Sequence, residues 1–374
     1  MPLRASVHKH ILQFNFEART SRGSMKERPV WFLKIWHTEQ PEVFGLGECA
    51  PLIGLSNESN EEAETELTVW AEKVEGATLP SQKLRLTELH AFLSENKLDP
   101  THASVIFAVE TALLDLLNGG TRLIFENDFL KGKSIPINGL IWMGGLDYML
   151  QQIDIKIRDG FSCIKMKVGS HNFEKECDIL QYIRRKYYKQ NIVIRLDANG
   201  AFKVEDALDK LRALARFDVH SIEQPIKSGL PEMEMICRES PVPIALDEEL
   251  IGVSSAARLS LLTRLKPKSI ILKPSLMGGL QSTADWIQLA NQLGISWWIT
   301  SALESNIGLN AIAQFTAQYP VSIPQGLGTG SLYTNNLISP LQVAAGNLNY
   351  NLLTDWNLEL LFPLEGAEKP LFIS

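Results

Sequence analysis

The chain has few cysteines, no excess of basic residues and no long apolar run. Its four cysteines among 374 residues include no CxxC pair, so neither a disulfide framework nor a zinc ribbon is expected. The net charge of −7 argues against a nucleic-acid partner, which would require a basic face. Residues 1–14 lack the apolar core of a signal peptide, and no stretch of about 18 apolar residues could form a membrane helix. We therefore expect a cytoplasmic protein with no nucleic-acid or membrane partner, and the sequence leaves its oligomeric state open.

The first third of the chain differs in pattern from the rest. Residues 3–16, 30–37 and 43–48 have the composition of strands, and the polar turn between the last two predicts an antiparallel meander. Two helical patterns follow, the first of them with Asn57 or Asn60 as its expected N-cap. These features together predict an α+β unit at the start of the chain.

From residue 134 onward, short apolar strands alternate with amphipathic helices. The predicted strands are 135–141, 162–167, 192–197, 219–223, 243–247, 269–273, 295–300 and 321–325. Continuous apolar strands are typical of a parallel sheet that is covered on its outer face. About eight of them favour a closed α/β barrel, and the lack of a GxGxxG motif argues against a dinucleotide fold. We predict an α+β domain over 1–125, a barrel over 134–339, and a return of 340–374 to the first domain.

Six ionisable residues stand at or just beyond the ends of these strands. They are Lys165, Lys167, Asp197, Glu223, Asp247 and Lys273. From Lys167 on they recur at intervals of 24 to 30 residues, about the length of one strand–helix unit of a barrel. Because a parallel barrel brings the carboxyl ends of its strands to one rim, we expect all six side chains to face one cavity.

This set of residue types indicates a metal site flanked by bases. Three carboxylates without a nearby histidine or cysteine suit Mg²⁺ better than zinc, with Mn²⁺ as the expected substitute. Lys165 and Lys167 should share one face of their strand, and repulsion with partial burial is expected to lower their pKa values. A lysine base beside a metal-bound carboxylate predicts abstraction of the proton alpha to that carboxylate. The expected substrate is a small-molecule carboxylate.

Five further polar residues near the strand ends have two interpretations. They are Asn199, Glu248, Glu249, Ser301 and Glu304. The first three either support the metal ligands or are ordinary loop residues. Ser301 and Glu304 either contact the substrate or cap a helix.

At these residues the chain resembles the enolase superfamily, in particular its muconate-lactonizing-enzyme-like subgroup. The motifs that match are KxK on the second barrel strand, single carboxylates on the third to fifth, and a lysine on the sixth. The resemblance implies a modified (β/α)7β TIM-like barrel with an α+β capping domain. It also implies Mg²⁺ on the three carboxylates, and substrate-reading loops at 17–26, with Arg22 and Ser24 as candidates, and at 45–56.

Several segments are similar to superfamily members that dehydrate a succinyl-hydroxycyclohexadiene carboxylate in menaquinone biosynthesis. They include 136–144, 195–202, 272–279 and 300–314. In that reaction Lys167 would take the alpha proton and return it to the departing hydroxyl. Lys165 would tune it electrostatically, and Lys273 would stabilise the enediolate from the opposite face.

Two alternatives remain open. One is an N-succinylamino acid racemase of the same superfamily, since two lysines on opposite faces suit a racemase equally well. The other is a non-catalytic homologue that binds a metal or a carboxylate. Segment 325–329 lacks the DxD of dipeptide epimerases, and 297–301 lacks the histidine of mandelate racemase relatives, which argues against those two activities.

Overall fold

The computed structural model describes residues 1–20, 23–79, 83–169 and 172–363. Its first sheet is an antiparallel meander of β1 (Leu3–Thr20), β2 (Gly23–His37) and β3 (Gln40–Cys49), as predicted. Alternate residues of β2 enter two different cores. Leu33 packs with the helices of the first domain, whereas Phe32 lies in a second core that the C-terminal tail covers. Both faces of this sheet are therefore buried.

Three helices follow the sheet: α1 (Asn60–Lys73), α2 (Leu86–Glu95) and α3 (Ala103–Leu117). The N-cap of α1 is Ser59, whose hydroxyl accepts from the Glu62 amide while the Glu62 carboxylate accepts from the Ser59 amide. The predicted caps, Asn57 and Asn60, are wrong because this reciprocal capping box satisfies two free amides at once. Asn60 is instead the first helical residue.

Helix α3 is almost entirely buried and lies directly on β3. A Cβ atom on Gly45 or Gly47 would overlap a backbone carbonyl oxygen of α3, so only glycine permits this close approach. The carboxylate of Glu110, also in α3, accepts a hydrogen bond of 2.5 Å from the Leu280 amide. Leu280 belongs to a helix of the barrel, and α3 therefore holds the first domain against the barrel.

The barrel strands are β5 (Gly139–Ile141), β6 (Cys163–Lys167), β7 (Val193–Asp197), β8 (Ser221–Glu223), β9 (Ile244–Leu246), β10 (Ser269–Leu272) and β11 (Ser296–Ile299), preceded by β4 (Ile135–Pro136). Strands β5 to β11 pair in sequence order and in parallel. The predicted eighth strand, 321–325, is reduced to two parallel bridges: Gln325 pairs with Ile137, and Gly326 pairs with Thr300. These bridges join the first strand to the seventh and close the barrel.

Seven helices connect the barrel strands. They are α4 (Leu146–Arg158), α5 (Phe173–Lys186), α6 (Val204–Ala215), α7 (Met233–Glu239), α8 (Ser255–Leu265), α9 (Gly279–Leu293) and α10 (Asn306–Thr316). With the closing segment the order is (β/α)7β, and an α+β domain stands beside it. The predicted fold class is confirmed.

The C-terminal segment contacts both parts of the molecule. A hairpin of β12 (Leu341–Ala344) and β13 (Asn347–Tyr350) pairs with β4, and the Phe362 ring lies 4.8 Å from the His8 ring of the first sheet. The domain bounds given above, 1–125 and 134–339 with a return over 340–374, stay a prediction. Within the described residues, no helix has both the length and the apolar composition needed to cross a bilayer.

Candidate active site

The six predicted ionisable residues all lie at the carboxyl ends of consecutive barrel strands. Lys165 and Lys167 are on β6, Asp197 ends β7, Glu223 ends β8, Asp247 follows β9 and Lys273 follows β10. The backbone register places Lys167 opposite Asp197, and Asp197 opposite Glu223. All six residues are buried or nearly so.

The two lysines of β6 reach the same carboxylate. The Lys165 Nζ lies 3.0 Å from Asp197 Oδ2 and 2.5 Å from Glu223 Oε2. The Lys167 Nζ lies 3.0 Å from Asp197 Oδ2 and 2.6 Å from Asn199 Oδ1. The two side chains therefore share one face of the strand, as the alternation of β-strand side chains predicts.

Lys273 forms the opposite end of this charged group. Its Nζ lies 2.5 Å from Asp247 Oδ2, and its charge acts on Asp197 as well. Cations and anions therefore alternate around the rim, and each lysine donates to at least one carboxylate.

The expected lowering of the pKa is wrong for Lys165. Burial by itself lowers the pKa of this ammonium group, but the charges of Asp197 and Glu223 outweigh it and raise the pKa above its usual value. Repulsion between the two lysines is the weaker effect because carboxylates stand between them. The pKa of Lys273 is likewise raised, since Asp247 opposes the effect of burial.

The carboxylates respond to burial in different degrees. Burial raises the pKa of Asp197, but the two lysines of β6 outweigh it and hold the pKa well below its usual range. Burial, together with repulsion from Asp197 and Asp247, raises the pKa of Glu223 to about 7, although Lys165 lies beside it. Of the two, only Asp197 is held firmly as an anion across the acidic range.

A cavity of about 560 Å³ opens above this charged group. Its floor includes Lys165, Lys167, Asp197 and Lys273. Its apolar side is formed by residues of the first domain and of the first barrel strand: Phe16, Met25, Leu52, Leu55, Leu140 and Trp142. The cavity thus joins a charged end to an apolar and aromatic end, and both domains contribute to it.

The predicted substrate-reading loops contribute in part. Residues of 45–56 line the cavity, as does Ser24 of the other loop, whereas Arg22 lies outside the described residues. The buried Arg28 guanidinium donates to the carbonyl oxygens of Ala50, Ala302 and Leu303 at 2.5 Å each. This arginine fastens the first-domain loop to the loop that follows β11.

Asn199, Glu248 and Glu304, whose roles the sequence left open, make hydrogen bonds to residues of the site and its loops. The Asn199 amide bridges Lys167 and Glu248, donating to Glu248 Oε1 at 2.9 Å. Glu304 accepts from Ser275 Oγ at 2.5 Å and from the Ala302 amide at 2.7 Å. These bonds position the neighbouring loops and leave any contact with substrate a prediction.

Two of the three carboxylates, Glu223 and Asp247, have free capacity for a cation, whereas both oxygens of Asp197 already accept hydrogen bonds. Glu223 Oε1 and Asp247 Oδ1 are buried without a hydrogen-bond partner among the described residues, and no histidine or cysteine of the described chain lines the cavity. These hard oxygen donors fit a magnesium ion. The other oxygens of Glu223 and Asp247 bond to Lys165 and Lys273. Within the described ranges, three ligand atoms lie within 4.8 Å of one another only at Glu66, Asp99 and His102, so the barrel carboxylates are not drawn together in this way. The assignment of the barrel carboxylates as metal ligands stays a prediction.

Sequence reasoning missed several residues of the cavity, of which Arg28, Asn138 and Trp142 are examples. None of these three belongs to a charged residue pattern at a strand end. Asn138, Leu140 and Trp142 alternate along β5 and the two residues that flank it, and that period of two was the available sign that they share a face.

Comparison with known proteins identifies the class of protein. Residues 149–351 match the family model described as enolase C-terminal domain-like, so the chain belongs to the enolase superfamily. It is 43% identical to the o-succinylbenzoate synthase of Desulfotalea psychrophila over 92% of this chain and 98% of that protein. The crystal structure of MenC from the same organism superposes with a TM-score of 0.84 at 41% identity, covering 93% of this chain and 100% of that one. Within the superfamily the chain therefore belongs to the o-succinylbenzoate synthase family of lyase-type enzymes.

A more distant relative shares the fold. The structure of a dipeptide epimerase from Cytophaga hutchinsonii, complexed with Mg and a dipeptide, has a TM-score of 0.79 at 20% identity and covers 98% of this chain and 99% of that one. At this level of identity the match supports the architecture alone.

Proposed function

We propose that the chain converts a succinyl-hydroxycyclohexadiene carboxylate to o-succinylbenzoate in menaquinone biosynthesis by loss of water. One observation carries this proposal: Lys167 and Lys273 enter one cavity from different strands, on either side of buried carboxylates. That arrangement suits removal of a proton alpha to a carboxylate that is held between a lysine base and a second, charged lysine.

Asp197, Glu223 and Asp247 would hold a magnesium ion. The unpartnered oxygens of Glu223 and Asp247 support this choice, as does the oxygen-only donor set. When bound, the ion supplies positive charge that makes the alpha carbon of a neighbouring carboxylate more acidic. It would also pair with the oxygens of Glu223 and Asp247 that do not contact a lysine.

Lys167 would be the base. Its Nζ is oriented by Asn199 and Asp197, and it is more exposed to the cavity than Lys165. In its neutral form it takes the alpha proton. The carbon–oxygen bond to the ring hydroxyl then breaks, the new double bond completes the aromatic ring, and the proton held on Lys167 leaves with the hydroxyl as water.

The other two lysines would act through their charge. Lys165 lies between two carboxylates, and as an ammonium ion it would stabilise negative charge that develops in the cavity. Lys273, on the opposite wall, would stabilise the negative charge that develops on the substrate carboxylate when the proton leaves.

The test is the ultraviolet change that accompanies aromatisation. Purified protein is mixed with the hydroxycyclohexadiene substrate in Mg²⁺, and again after treatment with a chelator. We expect turnover only with the metal ion, restored when Mg²⁺ or Mn²⁺ is added back. A chelated protein that keeps full activity would contradict the metal assignment, and absence of turnover in both samples would contradict the dehydratase proposal.

A second candidate activity is racemisation of N-succinylamino acids. The two-sided placement of Lys167 and Lys273 favours it, because one lysine could remove the proton and the other return it from the opposite face. Solvent deuterium should then exchange into the alpha position of an N-succinylamino acid. Absence of exchange in an enzyme that dehydrates would exclude this activity.

A further inference from the structure

Asn138 is a buried polar residue that immediately precedes β5, the first barrel strand. Its side chain lines the cavity, and only 6% of the residue is exposed. Its backbone amide donates to the Gln325 carbonyl at 2.9 Å, where the barrel closes. The main chain is therefore fixed, and the carboxamide extends from a rigid part of the barrel.

The carboxamide of Asn138 has no hydrogen-bond partner in the described part of the chain. Its Oδ1 is buried and unbonded. Other buried amides of the barrel are satisfied: Asn310 donates to the Arg122 carbonyl at 2.9 Å, and Gln325 accepts from the Ile299 amide at 2.8 Å. The unpaired Oδ1 destabilises the fold. The Nδ2 of the same carboxamide also has no partner among the described residues and can donate to a molecule in the cavity.

Several other polar side chains of the cavity wall are already engaged. Ser301 and Thr329 bond each other at 2.6 Å. Gln152 bonds the backbone of Trp142 on both sides, at 2.9 and 3.0 Å. The two terminal nitrogens of Arg28 donate to backbone carbonyl oxygens. Asn138 differs from them because its Nδ2 donates to no described residue and is therefore available to a ligand in the cavity.

We propose that Asn138 donates a hydrogen bond to the carbonyl oxygen of the acyl arm of the substrate, and so is a specificity-determining residue. This inference rests on the proposed function for the identity of that arm. The lysines and carboxylates of the floor suit the ring carboxylate, whereas a neutral carboxamide suits an uncharged carbonyl group. It adds no charge to a site that already holds three lysines.

The test compares two aromatic ligands on two variants. Asn138→Leu keeps nearly the same volume and removes the carboxamide. We expect it to weaken binding of o-succinylbenzoate about tenfold in calorimetric titration with Mg²⁺ present, as loss of one hydrogen bond implies. Binding of benzoate, which lacks the acyl arm, should not change. The KM for dehydration should rise by a similar factor with a smaller effect on kcat.

Stability separates this role from a structural one. Asn138→Leu should unfold at the same or a higher temperature than the wild type, because an unsatisfied amide has been removed. The matched variant Asn310→Leu should unfold at a lower temperature and keep the wild-type preference for o-succinylbenzoate over benzoate. The proposal is overturned if Asn138→Leu weakens both ligands equally, weakens neither, or loses stability with unchanged binding.

The same measurements separate this inference from the proposed function. If the wild type binds o-succinylbenzoate but does not dehydrate the hydroxycyclohexadiene substrate, the proposed function fails. A selective tenfold loss in Asn138→Leu would then still support the hydrogen bond to the acyl arm. A wild type that binds benzoate and o-succinylbenzoate equally well would overturn the role of Asn138.

Discussion

Two regions of the molecule bury charged side chains, and the partners of these side chains differ between the two regions. At the rim of the barrel, lysines pair with carboxylates, as Lys165 does with Asp197 and Glu223. At the contact between the two domains, buried charges bond to backbone groups. Arg28 donates to carbonyl oxygens, and Glu48 accepts from the Ser305 and Gly308 amides at 2.8 Å each.

The difference indicates that the buried charges at the domain contact have a structural role, whereas those at the barrel rim can take part in binding and catalysis. A backbone group cannot leave its place, so a charge bonded to it fixes two segments relative to each other. A side-chain ion pair can exchange one partner for a metal ion or a substrate, and the barrel carboxylates retain unpartnered oxygens. We therefore expect changes in the barrel rim to alter activity, and changes at the domain contact to alter stability.

The largest expected effect is on catalysis. Lys167→Ala should lower kcat by about 10²- to 10⁴-fold, since it removes the proposed base, while circular dichroism and the melting temperature stay near wild type. Lys167→Arg keeps the positive charge but cannot act as a base, and should be similarly inactive. Substantial dehydration by either variant, followed in the ultraviolet, would refute the base assignment.

The domain contact should show the reverse behaviour. Arg28→Leu should lower the free energy of unfolding by about 2–4 kcal/mol, because the carbonyl oxygens of Ala50 and Ala302 lose their Arg28 donor. The Leu303 carbonyl oxygen keeps its bond from the Tyr333 hydroxyl. Arg158→Leu is the control, since this exposed arginine pairs, within the described part of the chain, with the neighbouring Asp159 alone. It should change stability by less than about 0.5 kcal/mol. Urea unfolding measures both, and equal stability of the two variants would contradict the fastening role of Arg28.

Glu48 predicts a pH dependence of stability. Burial, with a smaller contribution from Glu304, raises the pKa of Glu48 from 4.5 to about 7 in the folded protein. The folded state then binds a proton more tightly than the unfolded state, so this residue makes stability fall as pH rises from about 4.5 to about 7. The fall should be at most about 3 kcal/mol.

Glu48→Gln isolates that contribution. The difference in unfolding free energy between wild type and variant should shift with pH in favour of the variant between about pH 4.5 and 7. Urea unfolding at a series of pH values measures it. A difference that is constant with pH would show that Glu48 does not titrate in this range.

The smallest expected effect concerns metal binding. Burial raises the pKa of Glu223 to about 7, so protons should compete with Mg²⁺ for this carboxylate below neutral pH. Affinity should rise by up to about tenfold per pH unit from about pH 5.5 to 7 and then level off. Calorimetric titration checks this, with Glu223→Gln as a weaker binder of flatter pH profile; a wild-type affinity independent of pH would contradict it.

The sequence was sufficient for the barrel and for the six ionisable residues at its rim. Strand–helix periodicity is a local property, and a parallel barrel brings all strand ends together whatever the details of packing. That is why Lys165 and Lys273, more than a hundred residues apart, could be placed in one site. The sequence also predicted the antiparallel meander, whose strands are neighbours along the chain.

Tertiary structure alone decided the rest. The direction of the Lys165 pKa shift depends on whether lysines or carboxylates are nearer, and only the folded rim sets those distances. The closing strand is reduced to the bridges at Gln325 and Gly326, and both bridges pair residues that are far apart in the chain. The roles of Arg28 and Asn138 depend on contacts, or on their absence, between segments far apart in the chain. Such long-range packing follows from no local pattern of residues.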